Sequence, residues 1–141
     1  MSSPEVWTDA RARIAAQADA LGLAVIWPNE PGQEPEPLDG GDGSLPAFLS
    51  VEIAADGGEP VELGGATWEE RGTIWLSVLV PSGSGIASGL ALRKALSNAF
   101  RGLDPGPIVY EAFSFPPGGA DEGSGNWYRL TLGVSYSFTD R

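Results

Sequence analysis

The chain of 141 residues contains no histidine and no cysteine. Without histidine, the commonest general base, proton shuttle and transition-metal ligand is missing. Without cysteine there is no disulfide framework and no thiolate metal site, and the redox compartment is left open. Basic residues are scarce: eight Lys and Arg, with Lys94 the single lysine, stand against nineteen Asp and Glu, for a net charge of −11. That balance argues against a grip on nucleic acid, which needs clustered cations, and against binding an anionic membrane surface. No apolar run approaches membrane-spanning length, and the N-terminus lacks a basic-then-apolar signal pattern, so the expectation is a soluble, cytoplasmic protein. Arginine-for-lysine usage together with much Ala and Gly reads as the coding bias of a GC-rich genome. The length suits a single domain, 1–141, able to bury roughly two-thirds of its unfolded surface.

What is present is organised around Arg71–Leu103. Ile74, Leu76, Val78 and Val80 alternate with Thr73, Trp75, Ser77 and Leu79, the period of a strand over 73–80. Pro81 ends the ladder, Gly83 and Gly85 allow a tight turn, and Ser84 is placed to cap the helix that follows. Ile86, Leu90, Ala91, Leu96 and Phe100 then recur near a helical period, with Lys94 and Ser97 pointing away and Gly102 as the stop. Residues 3–21 predict a first helix: Ser3 as cap, Pro4 in the first turn, Val6, Ala10, Ile14, Ala18 and Leu21 as the apolar stripe, and Gly22 at its end.

Strands are expected at 23–27, 47–54, 61–63, 108–115 and 127–138, with turns at Asp56-Gly57-Gly58 and Asp104-Pro105-Gly106. The last strand alternates most cleanly, and Tyr128, Leu130, Leu132, Val134, Tyr136 and Phe138 should face the helices. Two Pro- and Gly-rich acidic loops interrupt the pattern, at 28–46 and 116–126. The longer one lacks the apolar residues to fold alone; it is either a solvated loop or one ordered by a partner. The resulting fold class is α+β: a mostly antiparallel sheet with two main helices packed on it.

Three chemistries can be weighed and set aside. Gly83-x-Gly85-x-x-x-Gly89 with Asp104 imitates a dinucleotide fingerprint, but the third glycine is misplaced by one, the acid sits in a turn, and no lysine serves a phosphate loop. Asp39-Gly-Gly-Asp42-Gly lacks the alternating ligands and distal Glu of a calcium loop. Glu69–Glu70 and Asp121–Glu122 are paired carboxylates, yet no spacing selects two of the nineteen acids for glycosidase work. Catalytic residues, cofactor and metal are therefore all expected to be none. The five tryptophans are either packing residues or interface anchors, where Trp and Arg are enriched. Candidate subunit or partner contacts are Trp27, Asn29, Glu30, Trp68, Arg71, Trp75 and Trp127, with Trp68 and Trp75 beside Arg71 foremost.

The strand running into "PSGSG", and the helix ending in "FRG", resemble the tail terminator proteins of long-tailed bacteriophages. "VIWPNEPGQEPEP", "PAFLSVEI", "ELGG", "ERGTIWLSVLVP" and "NWYRLTLGVSYSF" follow in that family's order from about Leu23 onward. The resemblance is one of order and spacing, without a catalytic signature. It implies a structural virion protein that forms a homohexameric ring at the head-proximal end of the tail tube. Such a ring stops tube polymerisation and meets the head-completion or stopper protein, with DNA only passing through the lumen. The long acidic loop departs from the pattern. A stopper, a minor tail protein, or a gene transfer agent component are neighbouring readings, and a carbohydrate- or small-ligand-binding module is a remote one.

Overall fold

The structure, a computed structural model, describes residues 3–32, 46–120 and 127–141. The predicted loops 28–46 and 116–126, including the rejected Asp39–Asp42 calcium motif and Asp121–Glu122, lie largely or wholly outside the described residues. The elements run α1 (Pro4–Leu21), β1 (Ala24–Ile26), β2 (Phe48–Pro60), β3 (Trp68–Pro81), α2 (Ala87–Ser97) with a 3₁₀ turn at Asn98–Phe100, β4 (Ile108–Ser114), β5 (Gly119–Ala120) and β6 (Trp127–Asp140). The strands form one sheet in the order β1-β2-β3-β6-β4, with β5 also beside β6. Every pairing is antiparallel except β1 with β2. Because β3 and β4 flank β6 and each runs against it, they are parallel to one another, and α2 is the crossover between them.

Both helices lie on one face of the sheet. From α1, Val6, Ala10, Ile14 and Ala18 are all buried, the predicted stripe. They meet Leu49 and Val51 of β2, Ile74, Leu76, Val78 and Val80 of β3, and Leu130, Leu132, Val134, Tyr136 and Phe138 of β6. Period-two alternation on the two long central strands thus makes the core. Pro4 stands in the first turn of α1 and Gly22 closes it in the left-handed region at φ 69°. Ser3 makes no side-chain cap; the Glu70 carboxylate takes its place, accepting from the Ser3 backbone N–H at 3.0 Å.

Several boundaries differ from the sequence reading. β2 does not turn at Asp56-Gly57-Gly58 but passes through it with a register shift between Ala55 and Gly57, continuing to Pro60. The bulge absorbs one residue and keeps the strand paired. The short strand expected at 61–63 does not form; residues 61–67 make the tip joining β2 to β3. α2 starts at Ala87, and the Ser84 hydroxyl instead closes the preceding turn by donating to the Pro81 carbonyl at 2.6 Å. Its inward residues are Gly89, Leu96 and Ser97 with Leu92 partly covered, whereas Ile86, Leu90 and Ala91 are exposed. Gly89 faces inward because a Cβ there would run into the Leu130 side chain and lie 3.2 Å from Val80 Cγ1. On β4 a second register shift, between Tyr110 and Ala112, breaks the expected alternation and brings Phe113 to the core.

Candidate interface surfaces

Trp27, Asn29 and Glu30 are brought together at the end of β1, and α1 supplies two partners. Trp7 and Arg11, one helical turn apart, project toward the same side. Trp7 meets Trp27 edge-to-face at 5.9 Å between ring centroids. The Arg11 guanidinium lies 4.3 Å from the Trp27 centroid and forms an ion pair with Glu30. Asn29 holds a left-handed backbone at φ 53°, a conformation its short amide tolerates and one that turns Glu30 back toward Arg11. Trp7 and Arg11 were not singled out from the sequence. Their i, i+4 spacing was the available signal, but it is common on any helix.

Trp68, Arg71 and Trp75 do not form one cluster. Trp68 and Trp75 are an odd number of residues apart on an unbroken strand, so their side chains leave opposite faces of the sheet. Trp68 is 48 % exposed, and its indole N–H donates to the Gly65 carbonyl at 2.9 Å across the hairpin end. Arg71 is exposed and its Nε donates to Glu69 Oε1 at 2.7 Å. Trp75 is half-buried over Gly133, where a Cβ would come within 2.6 Å of its ring. Trp127 is buried inside the chain, edge-to-face with Phe48 at 4.7 Å and beside Leu79, on the sheet face away from the helices.

Two exposed surfaces stand out by composition. One is the β2–β3 tip, where Val61, Leu63 and Trp68 are open to solvent among acidic neighbours. The other is a cleft between α2 and β4 lined by Leu90, Arg93, Lys94, Arg101, Phe113 and Phe115. In it the Arg93 guanidinium lies 4.9 Å from the Phe115 ring centroid and donates to the Thr131 carbonyl at 3.4 Å. Sequence periodicity hides this cleft, because Leu90 fits the helical core stripe yet is exposed.

One polar network ties α1 to β4. The Tyr110 hydroxyl donates to Asp9 Oδ2 at 2.5 Å, and Arg13 Nε donates to the same oxygen at 2.8 Å. Burial pushes the Asp9 carboxyl up, but the hydrogen bonds from Arg13 and Tyr110 and the Arg13 charge outweigh it, leaving it below the usual carboxylate value. Burial first, and Asp9 second, push the Tyr110 phenol above its ordinary range. This network is a clamp between elements: its acid already accepts two bonds and its phenol is held neutral.

Among the described residues, no group of three or more Asp or Glu is placed to hold a metal ion, and no helix is long and apolar enough to cross a membrane. Gly83 and Gly85 adopt φ 82° and 84° in the turn between β3 and α2, and Gly89 serves close helix–sheet packing, so these glycines are accounted for by the chain's own geometry.

The sheet thus carries its helices on one face, with the candidate residues spread over its ends and its open face. The family model described as phage tail terminator protein matches residues 5–136, and the chain belongs to that family of structural phage tail proteins. A chain from the virion of a native gene transfer agent particle shares the fold at a TM-score of 0.57 and 18 % identity, covering 96 % of this chain and 92 % of the other. A second solved chain aligns at a TM-score of 0.60 and 18 % identity, covering 98 % and 96 %. No sequence among the curated proteins matches.

Proposed function

We propose that this protein forms a closed ring of six copies on the head-proximal end of a tail tube, ends the tube's polymerisation and offers the opposite surface to the head-completion or stopper protein. The observation that carries the reading is the family match across 5–136, nearly the whole chain. The geometry is compatible with it: the sheet has helices on one face only, and the β2–β3 tip and the α2–β4 cleft are two different exposed surfaces, as a head-to-tail ring contact requires. The work is done by binding and not by catalysis. The protein would reside at the head–tail junction of a virion, phage or gene transfer agent, after assembly in the bacterial cytoplasm.

The net charge of −11 fits a lumen through which DNA slides without sticking, since a negative wall repels phosphates. A neutral or basic channel surface on the assembled ring would refute that point. Trp27, Asn29, Glu30, Trp68, Arg71 and Trp75 remain the proposed contact residues, with Asn29, Glu30, Trp68 and Arg71 exposed; Trp127, expected among them, is buried against Phe48 and is withdrawn as a contact residue. The experiment is to add the protein, far below equimolar amounts, to its cognate tail-tube subunit during polymerisation. Shortened, capped tubes in electron micrographs are expected; tubes of unchanged length would point to another head–tail component.

A further inference from the structure

The charge of this chain is unevenly placed. Between Asp56 and Arg71 there are five acids and one base, and that base, Arg71, is bonded to Glu69. Between Gly72 and Leu103 there is no acid at all, while Arg93, Lys94 and Arg101 are three of the eight cations of the whole protein. The fold collects Asp56, Glu59, Glu62 and Glu69 on the β2–β3 hairpin end, with Glu70 turned to the start of α1, and the three cations in the α2–β4 cleft. None of these three cations takes part in an ion pair among the described residues. Both surfaces also carry exposed apolar groups: Val61, Leu63 and Trp68 on the tip, Leu90 and Phe115 in the cleft. Leu63 is fully exposed, which one chain by itself gives no reason to favour.

We propose that the acidic, apolar β2–β3 tip of one copy seats in the basic, apolar α2–β4 cleft of the next, and that this is the contact that closes the ring; the inference rests on the ring reading above. The occupant is a second copy because the complementary charge and the complementary apolar groups are both present on this chain. The two surfaces are also too far apart to meet within one molecule. The cleft lies level with Thr131–Val134 of β6, and the tip lies beyond Asp140, so about 20 Å of strand separates them. Different surfaces meeting on successive copies make a heterologous contact, which is the kind that generates a ring. Glu59 and Glu62 would face Lys94 and Arg101, and Leu63 would enter beside Leu90 and Phe115.

The test uses charge exchange on the full-length protein. One variant carries Glu59→Lys and Glu62→Lys; the other carries Lys94→Glu and Arg101→Glu. All four residues are exposed, so circular dichroism and melting should match the wild type. Each variant alone sets like charge against like and should self-associate at least about tenfold more weakly by analytical ultracentrifugation. A one-to-one mixture, or all four changes in one chain, restores opposite charges across the contact and should recover the wild-type mass. Variants that each still form wild-type rings, or a mixture that stays dissociated, would overturn this contact while leaving the ring reading intact. Rings that persist while the Lys94→Glu/Arg101→Glu variant loses tube capping would assign the cleft to the tube subunit and overturn the second-copy assignment. A wild-type protein that stays monomeric even with the tube subunit present would remove both readings together.

Discussion

Glu70 does three jobs with one carboxylate. It accepts from the Ser3 backbone N–H at 3.0 Å, from the Ser3 hydroxyl at 3.3 Å and from the Tyr136 hydroxyl at 3.2 Å, anchoring the start of α1 to the sheet. It also places negative charge where the helix dipole favours it. Glu70→Ala should lower stability by about 1–3 kcal/mol, read from chemical denaturation, because the partners are left unsatisfied in a partly buried site. Beside it, Gly72 has no room for a side chain: a Cβ would lie 2.5 Å from the Ala54 carbonyl and 2.6 Å from the Tyr136 hydroxyl. Gly72→Ala should therefore cost about 1–3 kcal/mol in the same assay, since the backbone oxygen of a paired strand cannot move aside alone.

Asp9 supplies a pH signature at the same scale. Its folded pKa is depressed below the ordinary 3.8, so its contribution to stability is complete above that value and is lost as pH falls through the folded value. Melting temperature followed from pH 6 downward should fall less steeply below about pH 4 in Asp9→Asn than in the wild type, the variant starting from a lower plateau. Parallel curves would show that the clamp to Arg13 and Tyr110 does not contribute.

At the scale of elements, α1 is held by four buried residues, and Ile14 is the largest of them. Ile14→Ala should destabilise by about 2–4 kcal/mol, measured by urea unfolding, through lost burial and the cavity left behind. This element was legible in the sequence from the spacing of Val6, Ala10, Ile14 and Ala18, with Pro4 and Gly22 at its ends. β6 was equally legible, because a strand covered on one face alternates without interruption. What was not legible has a common cause: residues whose local preference is overruled by neighbours distant in sequence. Asp56-Gly57-Gly58 has turn composition, yet pairing with Glu69–Gly72 draws it into β2 as a bulge. Leu90 fits the helical stripe, but the register of α2 is set by Gly89, the small residue that lets the helix approach Leu130. Among the candidate interface residues, Trp27 with Asn29 and Glu30 was readable as a local group. Neither the grouping with Trp7 and Arg11 nor the separation of Trp68 from Trp75 was, since the first needs the packing of α1 on β1 and the second the uninterrupted pleat of β3.

At the scale of the whole molecule, a strongly acidic chain places three of its few cations in one cleft and, among the described residues, its most exposed leucine on an acidic hairpin tip, the two surfaces proposed to meet between copies. Membership of the phage tail terminator family gives that arrangement a setting. Self-association into a ring is read most directly from the mass of the purified protein in solution, alone and with its tail-tube subunit. A particle of six copies is expected, formed by the protein alone or on the tube end. A protein that remains monomeric at high concentration and leaves the tube subunit polymerising freely would contradict it.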